Sequence, residues 1–130
     1  MRILLDTCSV LWAISDPAQL SAPAVAVLRA KDTDVFISPI SCAEIACLVE
    51  RGRIHLKRHW KTWFNDNLER NGWQVADTSL PVIQEAYSLP GEFHRDPADR
   101  ILVATARLGQ FLLLSADRKI LDYPHVQAVW

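Results

Sequence analysis

Short runs of apolar residues alternate along this chain with longer stretches in which apolar positions recur at helical spacing. Residues 2–6, 34–38, 73–77, 111–115 and 126–130 are of the first kind and predict five buried strands. Val10 to Ile14, Ala22 to Ala30, Ser41 to Arg51, His59 to Arg70, Pro81 to Leu89 and Asp96 to Leu108 predict helices, with a helical turn over 118–122. Trp60, Trp63, Phe64 and Leu68 share one face of the fourth of these. Asp16-Pro17, Pro39, Asn71-Gly72 and Gly109 punctuate the pattern where chain direction must change. No linker, repeat or low-complexity stretch interrupts it. Strands separated by helices predict one α/β domain over residues 1–130, a five-stranded, largely parallel sheet with helices on both faces.

Composition narrows the class. Of 130 residues half are hydrophobic and 22% charged, the balance of a globular chain rather than a disordered or fibrous one. Fourteen Lys+Arg against fifteen Asp+Glu leave a net charge of −1, which argues against a protein that grips nucleic acid through bulk positive charge. That near-neutral sum hides an asymmetry. Residues 1–65 carry eight basic and six acidic side chains, whereas residues 66–130 carry six and nine. The first apolar run ends at Asp6 before it could form the core of a signal peptide, and no stretch reaches the roughly 18 apolar residues of a membrane span. Three cysteines, Cys8, Cys42 and Cys47, cannot all pair within the chain and lack zinc-knuckle spacing. The expectation is a reduced, cytoplasmic protein.

The acids carry the candidate chemistry. Asp6 ends the first strand and Asp117 follows the fourth; Glu44 lies early in the helix after the second, and Asp96 and Asp99 open the helix leading into the fourth. In a parallel sheet all these positions meet at one edge, where ligands bind. Crowded carboxylates need a counter-charge, and hard oxygen donors suit Mg²⁺ or Mn²⁺. Such a site points to metal-assisted hydrolysis of a phosphodiester. Structural readings stand beside this one. Ser41-Cys42-Ala43-Glu44 fits a capping box, and Asp96-Pro97-Ala98-Asp99 places Asp at a cap with Pro at the first helical position. Asp117 fits a turn residue. Asp6 is harder to assign to structure alone, because a charge ending a buried strand is costly unless something binds it.

Leu4-Leu5-Asp6-Thr7, Ser41-x-x-Glu44, the run His94-Arg95-Asp96-Pro97-Ala98-Asp99-Arg100, and Ser115-x-Asp117, in that order, resemble the PIN domain. The likeness is strongest to its VapC-type toxins, the ribonucleases of type II toxin–antitoxin pairs, and extends over essentially the whole chain to the Val-x-x-Val-Trp ending. The resemblance implies an acidic pocket that holds Mg²⁺ or Mn²⁺ and cleaves single-stranded RNA. By motif, Asp6, Glu44, Asp99 and Asp117 are the implied catalytic acids. Asp6, Asp99 and Asp117 are the implied metal ligands, with Glu44 and Asp96 as further candidates. Thr7 and Ser115 match small hydroxyl positions that support the acids. Cys8 departs from the Asn, His or Ser often found there. The resemblance also implies a homodimer and a VapB-like antitoxin.

From Arg51 to Lys61 the chain has Arg51, Arg53, Lys57, Arg58 and Lys61, two histidines and no acid. This strip reads either as a phosphate-tracking surface, with Trp60 for stacking, or as a solvated join between helices with Trp60 in the core. It could equally receive an acidic stretch of an antitoxin. His94, Arg95 and Arg100 beside the acids are further candidates for phosphate contact. The faces bearing Leu11 and Trp12, and Trp60, Trp63 and Phe64, read as core first and as a partner groove second. A non-catalytic PIN-like module that binds RNA or protein is the alternative function. A phosphorylatable receiver would need adjacent acids after the first strand and a late lysine, and Lys119 is poorly placed for that role.

Overall fold

Strand β1 (Arg2–Leu5) lies at the centre of the sheet in the computed structural model, which describes residues 1–130. It pairs in parallel with β2 (Asp34–Ile37) on one side and β4 (Leu112–Leu114) on the other; β3 (Gln74–Val75) and β5 (Ala128–Val129) form the two edges, giving the order β3-β2-β1-β4-β5. All four pairings are parallel, as the alternation of strands and helices requires. Leu5 sits opposite both Ile37 and Leu114, so the residues that follow each strand, Asp6, Ser38 and Ser115, emerge at one edge. Register alone thus assembles the site's floor.

Helices α1 (Thr7–Ser15), α2 (Ala22–Arg29), α3 (Pro39–Glu50), α4 (Trp60–Asn71), α5 (Leu80–Ala86), α6 (Pro97–Gly109) and α7 (Arg118–Leu121) cover the sheet. Side chains of β1 alternate between its faces, and both faces are buried. Ile3 and Leu5 join Val10, Ile37, Ile45, Trp63 and Phe64 in one core cluster; Leu4 joins Leu102, Val103, Leu113 and Ile120 in another. Each of the three β1 residues has no solvent exposure. Burying such a side chain fully contributes roughly 1.5–3 kcal/mol, so this short strand anchors both halves of the core.

Several boundaries differ from the predicted ones, each for a local reason. Helix α1 begins at Thr7 because the Asp6 carboxylate caps it, accepting the Ser9 N–H at 2.8 Å. Helix α3 begins at Pro39, with Ser38 as its cap through the Ile40 N–H. Ser41 is therefore inside the helix, and Ser41-x-x-Glu44 is not a capping box. Trp73 is excluded from β3 because its N–H closes the end of α4 on Leu68, beside Gly72 at φ 65°. Helix α6 runs through Gly109 and stops at Gln110, which takes the left-handed conformation at φ 55°. Gly109 is required for another reason: an added Cβ would lie 2.2 Å from the Phe111 ring. Trp63 and Phe64 are core, as expected, but Trp60 is only half-buried and rests against His59 and Lys61. Trp12 packs on Trp130 with ring centroids 5.5 Å apart.

Candidate metal centre at the strand ends

Asp6 is buried at the end of the central strand, where its carboxylate accepts the Ser9 N–H. The backbone N–H of Ser9 and the hydroxyls of Ser9 and Ser115 favour its charged form, yet burial outweighs them and, with Asp117 nearby, raises its pKa. Ser115 is itself buried, and its Oγ accepts the Asp117 N–H at 3.1 Å. One hydroxyl thus links the first and fourth strand ends. Asp117 caps α7, its Oδ1 accepting the Lys119 N–H at 2.9 Å.

Glu44 projects from the second turn of α3 toward α1. The Thr7 hydroxyl hydrogen-bonds its Oε1 and lies 3.0 Å from Ser41 Oγ. Burial, then Asp96 and Asp6, push the Glu44 pKa up against that hydrogen bond. Asp99, in the first turn of α6, is pushed up to about 7, first by burial and then by Asp96, Asp117, Glu44 and Asp6. Cys8 registers the same convergence. Burial raises its thiol pKa, and Asp6, Glu44, Asp99 and Asp117 all add to the rise. The four acids, separated by up to 111 positions in sequence, all lie near enough to act on Cys8.

Asp96 caps α6 by accepting the Ala98 N–H at 3.1 Å, with Pro97 at the first helical position. The capping reading of Asp96 therefore holds, while its charge still reaches Asp99 and Glu44. Asp99 makes no return bond to the cap. The Asp96 N–H goes instead to His94 Nδ1 at 3.3 Å, which leaves the Asp99 carboxylate facing the site.

His94, expected beside the acids as a phosphate contact, faces Asp99 instead. Its Nε2 lies 3.1 Å from Asp99 Oδ2, and the donor atoms of His94, Asp99 and Asp117 all fall within 4.8 Å of one another. Its position six residues before Arg100 in a polar loop offered a weak signal; a hydrophobic pattern offers none. Arg100 is turned inward, its guanidinium donating to the carbonyls of His94, Ala86 and Phe93 at 2.8–2.9 Å. It braces the loop rather than presenting charge to a ligand, contrary to its reading as a phosphate contact. Arg95 is exposed. Arg51 and Arg53 follow the last residue of α3, and Arg51 is seven residues, about 10 Å along the axis, past Glu44. Lys57 and Arg58 line a cavity of about 520 Å³ with Ile14 and Ser15 at the far end of α1, and Arg58 pairs with Asp66. Lys61 lies near Cys42 of α3.

No Lys or Arg forms an ion pair with Asp6, Glu44, Asp99 or Asp117. Carboxylates crowded in this way, with burial raising the proton affinity of Asp6, Glu44 and Asp99 and no Lys or Arg paired to them, have the donor chemistry of a hard divalent cation site. The residues present fit such an ion.

The parallel five-stranded sheet and the acidic pocket at its strand ends define a class, and the PIN domain model matches residues 3–126. This chain belongs to the PIN domain family. It is 30% identical over 127 residues to Ribonuclease VapC22 of Mycobacterium tuberculosis, spanning 98% of this chain and 95% of that protein. Its fold also matches solved structures. One is VapBC2 from Rickettsia felis bound to a promoter DNA fragment, with TM-score 0.76 and 19% identity over 100% of this chain and 99% of that one. Another is a toxin–antitoxin complex from Klebsiella pneumoniae, with TM-score 0.70 and 19% identity over 98% and 96%. No helix is long and apolar enough to cross a membrane.

Proposed function

We propose that this protein is a metal-dependent endoribonuclease toxin that cleaves single-stranded or looped RNA and is neutralised by a VapB-like antitoxin. The observation that carries the reading is the convergence of Asp6, Glu44, Asp99 and Asp117 at one sheet edge with no Lys or Arg paired to them. The 30% identity to a VapC ribonuclease supports it independently.

Asp6, Asp99 and Asp117 would hold Mg²⁺ or Mn²⁺, with Glu44 as a further ligand and Asp96 at its periphery. A divalent cation there supplies positive charge against the scissile phosphate and lowers the pKa of water. Ser115 ties Asp6 to Asp117 and so fixes the spacing of two acids. Thr7 holds Glu44 in place to orient the attacking water and accept its proton, a role suited to a carboxylate whose proton affinity is raised. Arg95, exposed beside the site, is the basic residue best placed to meet phosphate. The 51–61 strip serves the RNA flank or the antitoxin.

The toxin–antitoxin complexes among the structural matches support the partner assignment. The resemblance also supports a homodimer, for which exposed Val75 and Leu108, on the rim of one cavity, supply apolar surface. A cytoplasmic location follows from an RNA substrate. Mapping RNA ends after induction tests the reading: wild type creates new 5′ ends at defined sites and Asp6→Asn does not. Binding of RNA without new ends in either strain would favour a non-catalytic PIN module.

A further inference from the structure

His94 sits in a loop that is braced more heavily than a connector requires. Arg100 donates to three carbonyls around it, Tyr123 Oη donates to the Pro90 carbonyl, and Phe93 stacks between His94 and Tyr123 at 4.4 and 4.9 Å. Gly91 takes φ 65° to turn the loop, with the His125 ring 3.7 Å from where a Cβ would be. The result is an imidazole held through Nδ1, with Nε2 buried beside Asp99. Nδ1 accepts a backbone N–H from Asp96 at 3.3 Å, so in the neutral ring the proton belongs to Nε2. Nε2 is shielded from solvent, has no hydrogen-bond partner, and lies 3.1 Å from Asp99 Oδ2.

A nitrogen carrying a proton cannot also donate a lone pair to a metal. We infer that His94 is a positioning residue rather than a ligand: its Nε2–H, set 3.1 Å from Asp99 Oδ2, would engage that oxygen and leave the other free for a cation. A buried N–H without an acceptor is destabilising, and Asp99 Oδ2 is the acceptor within reach. This inference rests on Asp99 being a metal ligand, as proposed above. It adds a residue outside the four acids and assigns the Arg100 brace a purpose: keeping the His94 ring in register with Asp99.

Mn²⁺ binding to the full-length protein, by calorimetry and by pulsed electron paramagnetic resonance, tests this directly. Wild type binds Mn²⁺ with no nitrogen coupling from a directly bound imidazole. His94→Ala folds with an unchanged circular dichroism spectrum and weakens Mn²⁺ binding about 10–100-fold, the range for loss of a partner that orients a ligand. Excess Mn²⁺ restores its RNA cleavage rate. His94→Gln, which keeps a donor at the ε position, recovers most of the affinity. Direct nitrogen coupling in wild type, abolished in His94→Ala, would make His94 a ligand and overturn the inference. Equal Mn²⁺ affinity in wild type and His94→Ala would overturn it as well. If Asp99→Asn binds Mn²⁺ as tightly as wild type, the failure lies with the assignment of the metal centre itself.

Discussion

The hydroxyl of Thr7 hydrogen-bonds the carboxylate of Glu44, joining the first turn of α1 to the second turn of α3 across the end of the sheet. This bond, rather than a helix cap, explains why Ser41 and Glu44 lie three residues apart on an inward face. Thr7→Val keeps the side-chain shape and removes the donor. It should cost about 1–2 kcal/mol in urea unfolding and reduce RNA cleavage about tenfold or more, while Thr7→Ser stays close to wild type. Unchanged cleavage in Thr7→Val would remove Glu44's orientation from the account.

Asp6 has two separable roles. As a cap it needs only an oxygen acceptor for the Ser9 N–H, which Asn supplies. As a site acid it needs its charge. Asp6→Asn is therefore expected to melt at or above the wild-type temperature, relieved of repulsion from Asp117, while losing RNA cleavage entirely. Asp6→Ala should lose the cleavage and about 1 kcal/mol of stability as well.

Asp99 makes stability depend on pH in an unusual direction for a carboxylate. Its folded pKa of about 7 lies above the ordinary 3.8, so the folded chain binds this proton more tightly than the unfolded chain. The contribution is fully favourable below about pH 4 and is lost as pH rises toward 7, a swing of at most a few kcal/mol. Thermal unfolding in EDTA should show stability declining across that window. Asp99→Asn should flatten the decline, although the elevated pKa values of Asp6 and Glu44 leave part of it. Mn²⁺ should raise the melting temperature more at pH 8 than at pH 5, because only ionised carboxylates bind it.

Gly109 tests the fold without touching the site. An added methyl would meet the Phe111 ring at 2.2 Å, and that ring is buried between Phe36, 4.8 Å away, and the guanidinium of Arg2. Gly109→Ala should destabilise by about 1–3 kcal/mol through overpacking. The kcat for RNA cleavage should not change at a temperature where the variant is folded.

The alternation of apolar runs and amphipathic stretches made the sheet legible, because strands buried on both faces and helices buried on one leave different periods. The convergence of the acids followed from topology alone, since parallel strands deliver their C-terminal ends to one edge. Finer assignments depended on competition between local signals. Ser38, Ser41 and Pro39 all mark a helix start, and Pro39 at the first helical position gives the cap to Ser38. Gly109 reads as a helix stop, but close packing on Phe111 requires its missing side chain and Gln110 takes the left-handed turn instead. His94 was legible as a neighbour of the acids but not as a contact of Asp99, because that contact depends on three carbonyl bonds from Arg100 and on where Asp96 sends its N–H. The basic strip was legible as charge but not as location, because its residues diverge in the fold: Lys57 and Arg58 line a cavity beside the end of α1, and Lys61 lies near Cys42.

Incubating purified protein with a defined mixture of structured and single-stranded RNAs tests the central claim most directly. With Mg²⁺ or Mn²⁺, wild type should cut at discrete sites, EDTA should stop the cutting, and Asp6→Asn should leave every RNA intact. Cleavage that persists in EDTA, or in Asp6→Asn at the wild-type rate, would contradict a metal centre built on these acids.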